Sequence, residues 1–519
     1  MPTLRAITTL LCAGLLVAQT PPVPLTPIRH LVVIFQENVS FDHYFGTYPV
    51  AANPPGEPVF KALPGTPNVN GLNGALLAHN PNLNPLNGAG AGNPFRLDRS
   101  QAATADQHHS YASEQRAVDG GLLDLYPAWV GAAGAPAEST ALNLGYFDGN
   151  TVTALWNYAQ HFAMSDNSYG TIFGPSTPGA LNLVSGQTNG VIANANGSAD
   201  VTDGGGGTLT AIGDADPAGD VCSTPTGEVF SLSGPNIGDL LNAKGVTWGF
   251  FIGGFDLTVT NPNGTTRCLR NTTSAITHKN KTDYIPHHEA FQYYQSTANL
   301  THARPSSVAA IGKTDAANHQ YDIHDFYDAV RAGNFPAVNF LKAPGYRDAH
   351  AGYSDPIDEQ TFIVHVMNFL ENNSGDWAHT AVVIAYDDSD GWYDHQMPPI
   401  VNQSTSPADA LTGPGACGDG QSALAGVGTV DHAQGRCGYG PRLPMLVISA
   451  WSKANYVDHT LTDQTSIIRF VEDNWLGGQR LGQGSFDAIA NSITGMLDFK
   501  KAPSGTKLIL DEATGEVTK

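Results

Sequence analysis

Two short polar couples in this chain stand directly behind apolar runs. Glu37 and Asn38 follow Leu31–Phe35, which is rich in β-branched residues, and Asp387 and Asp388 follow TAVVIAY at 380–386. Apolar runs of this length bounded by polar residues read as buried strands. Open α/β sheets bind their ligands just past the carboxyl ends of strands. If the two strands are neighbours, four oxygen-bearing side chains converge on one edge, a donor set that suits a hard or borderline divalent cation. DDSDG (387–391) lacks the ligand spacing and closing Glu of an EF-hand loop. Ser176 lies in GPSTPG (174–179), where Gly174-Pro175 breaks the chain and Pro178 suits a first helical turn. Its hydroxyl therefore falls at or beside a helix N-terminus, where backbone N–H groups and the macrodipole favour an anion. His109, His288 and His350 each stand in a short polar motif. Taken singly, every one of these residues also fits an ordinary role: a solvated loop carboxylate, a helix cap, or one of 18 histidines.

The elements that must position them alternate in type. Strand patterns recur at 246–252, 336–345, 380–386 and 443–452. Helical spacing recurs from about Ser110, and at 152–162, 324–333, 358–373 and 463–475. Strands alternating with helices predict an α/β fold with a mostly parallel central sheet covered on both faces. Between these elements lie stretches rich in Gly, Asn, Pro and Ala, at about 50–105, 189–236 and 400–440, which read as long loop insertions.

Composition narrows the class. The chain has 519 residues, only 14% charged, with 57 Gly and 34 Pro, and a formal net charge of −22. That balance argues against nucleic acid as a partner, because binding it needs a basic footprint. The N-terminus carries one Arg, an apolar stretch from Ala6 to Ala18, then Pro. This is too short to span a bilayer and predicts a signal peptide over 1–19, hence export to the periplasm or medium. Removing Cys12 with it leaves Cys222, Cys268, Cys417 and Cys437, for which three pairings exist. Cys222–Cys268 and Cys417–Cys437 are the expected pair, each stapling a Gly-rich insertion.

From Glu37 to Gly46 the chain reads ENVSFDHYFG. This resembles the EN-x-SFDHYFG motif of the bacterial phosphoesterase family that holds acid phosphatases and phosphatidylcholine-type phospholipases C. The similarity continues through Asp106–Gln115, GPSTPG, HHEAF (287–291), HAGYS (350–354), YDDSDGWYDH (386–395) and YGPRLPMLVISAWS (439–452). It implies an alkaline phosphatase-like α/β sandwich, with residues 20–519 as a single phosphoesterase domain. It also implies roles. Glu37, Asn38, Asp387 and Asp388 match metal ligands. Ser176 matches the nucleophile, itself a ligand and a Thr in the phospholipase branch. His109, His288 and His350 match phosphate contacts, each chosen over its neighbour where two histidines adjoin. His395 and His459 are weaker candidates, and Asp42, His43 and Asp390 are expected to support the ligands by hydrogen bonds.

The implied activity is metal-dependent phosphoric ester hydrolysis through a phosphoseryl intermediate, with an acid phosphatase first. A phospholipase C removing the phosphocholine headgroup, with transient lipid contact, is the alternative. A non-catalytic exported binding protein is a distant third. The implied cofactor is one divalent or transition ion (Ca, Mn, Fe or Zn), which residue type does not rank. Protonated histidines would favour a mildly acidic optimum.

Overall fold

The computed structural model describes residues 22–131, 141–193, 199–224, 226–418, 433–505 and 507–518. The expected signal peptide and part of the third insertion lie outside these residues. Eight strands pair into one sheet: β1 (His30–Gln36), β2 (Ala163–Ser165), β3 (Trp248–Ile252), β4 (Gln320–Asp322), β5 (Val338–Lys342), β6 (Thr380–Tyr386), β7 (Met445–Ser449) and β8 (Tyr456–Asp458). Their spatial order is β4-β3-β5-β1-β6-β7-β2-β8. β1 lies between β5 and β6, paired parallel to both, with Ile34 opposite Leu341 on one side and Ile384 on the other. The carboxyl ends of β1, β5 and β6 therefore lie side by side.

The fold is mixed α/β with a large, mostly parallel sheet. β7 is the exception, antiparallel to both β6 and β2. A parallel neighbour needs a crossover that returns the chain to the opposite edge. Among the described residues, 387–444 contains no helix. The chain thus leaves β6 and re-enters β7 at the same edge, and the insertion is built there.

Eight helices bear on the argument: α1 (Phe41–Phe45), α2 (Tyr111–Val118), α3 (Thr153–His161), α4 (Ser176–Ser185), α5 (Ile237–Lys244), α6 (Ile323–Arg331), α7 (Pro356–Asn373) and α8 (Thr465–Trp475). β1 alternates its contacts, as a strand with period two must. Val32 and Ile34 pack with Trp156 of α3, Phe326 of α6 and Ile363 of α7. Leu31, Val33 and Phe35 pack with Leu181 of α4, Leu241 of α5 and Ile468 of α8. Both faces are covered, so β1 is apolar along its length rather than alternating.

Both expected disulfides are present. Cys222–Cys268 ties the second insertion to the loop after β3, rather than closing the insertion on itself. That insertion is also more ordered than its composition suggests: residues 201–205 and 208–211 form an antiparallel ribbon, and Val191–Ala193 pairs with Val229–Leu232.

Candidate active site

The polar couples sit where the strands end. Beyond β1, the Glu37 N–H donates to the Asp348 carbonyl at 2.9 Å. Asn38 then takes a left-handed backbone, φ 59°, a conformation Asn tolerates better than most residues. The turn aims the Asn38 N–H at Asp387 Oδ1, 3.0 Å away. Ser40 accepts from the His43 N–H and so caps α1, fixing where the chain goes next.

Ser176 is the first residue of α4, with Pro175 as its N-cap. The hydroxyl is therefore not used as a cap. Two glycines allow this placement. Gly174 has φ 108° and its N–H donates to Glu114 Oε2 at 2.7 Å. At Gly179, a Cβ would stand 2.2 Å from the Asp387 carbonyl oxygen, so the first turn of α4 lies directly against the end of β6. Glu114 also accepts from Ser389, joining the Ser176 turn to the loop after β6.

Ser176 Oγ, 2% exposed, faces three acceptors: Glu37 Oε2 at 2.8 Å, Asp388 Oδ2 at 3.2 Å and Asn38 Oδ1 at 3.5 Å. One hydroxyl has one proton. It satisfies one of these oxygens and leaves the others facing oxygen, an arrangement a cation relieves. Asp387 Oδ2 is buried with no hydrogen-bond partner. These donors fit an oxygen-liganded metal ion. Asp387 stands a step further back than the other three: its Oδ1 already accepts from the N–H groups of Asn38 and Asp388.

The three histidines are all near these oxygen-bearing side chains, and where two histidines adjoin the structure separates the pair. His288 Nδ1 is 3.2 Å from Glu37 Oε1, whereas His287 pairs with Asp216. His109 lies 3.3 Å from Asn38 Nδ2 and 3.1 Å from Asp390 Oδ1, whereas His108 is exposed. His350 stacks on Tyr353 and has its ring centroid 6.1 Å from that of His109. Asp106, His109, His350 and Asp390 bring ligand atoms within 4.8 Å of one another, a second group able to hold a metal. A cavity of about 540 Å³ reaches the site at His109 and Pro175, with Asp106, Tyr111 and Asp214 among its walls.

Burial sets the charges. It pushes His350 down to about 4 and His288 well below the usual imidazole range, so both are neutral at pH 6. Burial also opposes charge on His109, but Asp388 and Asp390 outweigh it and hold that imidazole well above its ordinary value. Three charged histidines are therefore not what the site offers. Burial raises Asp390 to about 7, and raises Asp387 and Asp388 well above the usual carboxylate range. Glu37 goes the other way: the nearby His288 and Lys342 outweigh its burial. Since His288 is itself neutral, the Lys342 ammonium is the charge that keeps Glu37 ionised.

Asp390 supports Asn38 directly, accepting from its Nδ2 at 3.1 Å. Asp42 and His43, expected to support the same side chains, do not bond Glu37, Asn38, Ser176, Asp387 or Asp388. Asp42 pairs with His395 and the buried Arg442, and His43 stacks on Trp392 and bonds the Gly145 carbonyl. His395 thus belongs to that neighbouring network, and His459 is an exposed partner of Asp166. Neither is brought to Ser176. Sequence reasoning missed Lys342, the last residue of β5, which contacts both Glu37 and Asp387. Its signal was legible: a lone Lys closing an apolar strand, NFLK, at the same sheet edge as the two polar couples.

A model of the Phosphoesterase family matches residues 28–476. The chain is 26% identical over 460 residues to the non-hemolytic phospholipase C of Pseudomonas aeruginosa, covering 87% of this chain and 54% of that one. The chain thus spans about half that relative's length. It is 22% identical over 513 residues to phospholipase C A of Mycobacterium tuberculosis, covering 94% and 80%. Among solved structures, murine ectonucleotide pyrophosphatase/phosphodiesterase 5 overlays 65% of this chain and 91% of its own at 11% identity, with a TM-score of 0.28, too loose to bear on the chemistry.

Proposed function

Because the chain belongs to the Phosphoesterase family, we propose that it hydrolyses phosphoric esters through a phosphoseryl intermediate on Ser176, with a phosphate monoester as the preferred substrate. One observation carries the reading: a buried serine hydroxyl at a helix N-terminus, within 3.5 Å of Glu37, Asp388 and Asn38. Glu37, Asn38, Asp388 and Ser176 would hold a metal ion, with Asp387 behind them. The ion, when bound, supplies Lewis acidity and lowers the hydroxyl's pKa.

The chain's own groups do the rest. Glu37 Oε2, at 2.8 Å, accepts the Ser176 proton and frees an oxygen lone pair for phosphorus. In the first turn of α4, Pro178 has no N–H and the Thr177 N–H donates to Asp214 Oδ1 at 2.8 Å, which leaves the Ser176 N–H to meet an incoming phosphoryl oxygen. Charged His109, held by Asp390 at 3.1 Å, stabilises negative charge gathering on those oxygens. Neutral His350 spends its one N–H on the Ala351 carbonyl and neutral His288 its one N–H on Glu37 Oε1, so these two rings position their neighbours while His109 carries the charge. The leaving oxygen takes a proton from water in the cavity beside His109 and Pro175 and departs as the alcohol, while the proton on Glu37 returns to Ser176 when the phosphoserine is hydrolysed. Water entering from that side then hydrolyses the phosphoserine in line with the bond the alcohol vacated.

A second reading is favoured by the relatives, which are phospholipases C: cleavage of a choline phosphodiester at the same site. Ser176, where the phospholipase branch carries Thr, supports the monoester reading. Nitrophenyl phosphate against nitrophenyl phosphorylcholine at about pH 6, before and after chelation, decides between them. Faster monoester turnover lost on chelation supports our reading. Diester preference moves the chain to the phospholipase reading, and no turnover of either after metal is restored removes both.

A further inference from the structure

Lys342 closes β5 at the centre of the sheet edge, 0% exposed. Its ammonium is in ion-pair contact with Glu37 Oε1, lies 3.5 Å from Asp387 Oδ2 and sits 5.3 Å from the centre of the Phe35 ring. Ser176 lies on the other side of Glu37, against Oε2. Lys342 therefore does not touch the proposed nucleophile. It holds Glu37 by the oxygen that does not face Ser176, and reaches Asp387 through Oδ2.

The surrounding charges are otherwise matched. Asp390 is paired with His109. Asp348 accepts from the His350 backbone N–H at 3.0 Å and the Tyr353 hydroxyl at 3.2 Å, and its charge is met by the Lys281 ammonium, which lies 3.8 Å from the centre of the Tyr353 ring. That leaves Glu37, Asp387 and Asp388, which as deprotonated metal ligands carry three negative charges in a buried place. One divalent ion and one lysine ammonium neutralise them; a trivalent ion with the lysine leaves a buried positive excess, which is disfavoured.

We propose that Lys342 is a positioning residue and built-in countercharge that orients Glu37 and Asp387 and sets the site's selectivity for a divalent over a trivalent cation. This rests on the metal-site reading above. Two consequences follow from its geometry. Holding Glu37 Oε1 fixes which carboxylate oxygen is presented to Ser176. Removing the charge makes the ligand set one unit more negative, which favours a trivalent ion over a divalent one at the same spot by Coulomb attraction alone.

The test is binding, not turnover. Affinities of the metal-stripped full chain for Ca²⁺ and Tb³⁺, ions of similar size that both take oxygen ligands, are measured by calorimetry or terbium luminescence for wild type, Lys342→Met and Lys342→Arg. The expected result is a rise of about tenfold or more in the Tb³⁺/Ca²⁺ affinity ratio for Lys342→Met. Lys342→Arg keeps the charge, so its ratio stays within about threefold of wild type even if both affinities fall. An unchanged ratio in Lys342→Met, or an equal rise in Lys342→Arg, overturns the countercharge role. If Lys342→Met does not fold, the wild type decides. Calcium binding at least as tight as terbium supports the proposal, and terbium preference above about tenfold overturns it. A wild type that binds neither ion overturns the metal site itself, which is a different failure.

Discussion

Burial treats the three site histidines unequally, and that has a measurable consequence. His350, at about 4, is neutral throughout the working range, while His109 lies well above its ordinary 6.5. The charged form of His109 is present below its raised pKa and lost as pH climbs through it. The alkaline limb of kcat/KM is therefore expected above pH 6.5, and His109→Gln should remove that limb and lower activity at about pH 6 by roughly 10²-fold. A kcat/KM profile for both proteins checks this. The residues themselves were well marked in the sequence, since Glu37, Asn38, Ser176 and Asp388 do meet. Their charges were not. Whether a histidine is ionised depends on what is packed around it, and no local pattern around His288 or His350 announces that packing. Lys342 did leave a local mark, a lone Lys closing an apolar strand, but what it contacts exists only because β1, β5 and β6 are neighbours.

At the level of elements, the contact between α4 and the end of β6 sets the distance from Ser176 to Asp388. A methyl group at position 179 meets the Asp387 carbonyl at 2.2 Å, backbone that cannot turn aside. Gly179→Ala is expected to push α4 outward, costing about 1–3 kcal/mol of stability and about 10²-fold in kcat, because sub-ångström placement governs the reaction. Urea unfolding and steady-state kinetics on the same preparation read both effects. The strands and long helices were legible from apolar runs and 3.6-residue spacing. The direction of β7 was not, because LPMLVISAWS reads alike in either orientation. Only the absence of a crossover helix in the described part of 387–444 reveals it. The ribbon at 201–211 was hidden similarly, since Gly-rich sequence gives little strand signal.

For the whole molecule, a buried carboxyl couples folding to pH. Glu359 of α7 accepts from Tyr44 at 3.0 Å and Tyr386 at 2.6 Å, and so pins α7 to α1 and to the end of β6. Burial raises it from 4.5 to about 8. The folded chain keeps a proton there that the unfolded chain has released above pH 4.5. Its contribution is thus full below about 4.5 and is lost as pH rises to about 8. Glu359→Gln, which stays neutral, should flatten the fall in melting temperature over that window; an unaltered pH dependence would show that Glu359 is not its source. Metal binding acts in the opposite sense to unfolding. If the oxygen cluster holds an ion, chelation should lower the melting temperature, and restoring the ion should recover it.

The proposed chemistry turns on attack at phosphorus by Ser176 Oγ. It is tested most directly by mixing the metal-loaded chain with a nitrophenyl phosphate, quenching in acid within a turnover, and sequencing the peptides by mass spectrometry. A phosphate adduct is expected on the peptide containing Ser176, absent from Ser176→Ala, together with loss of turnover by at least about 10³-fold in that variant. Turnover retained by Ser176→Ala, or an adduct on a different residue, would contradict it.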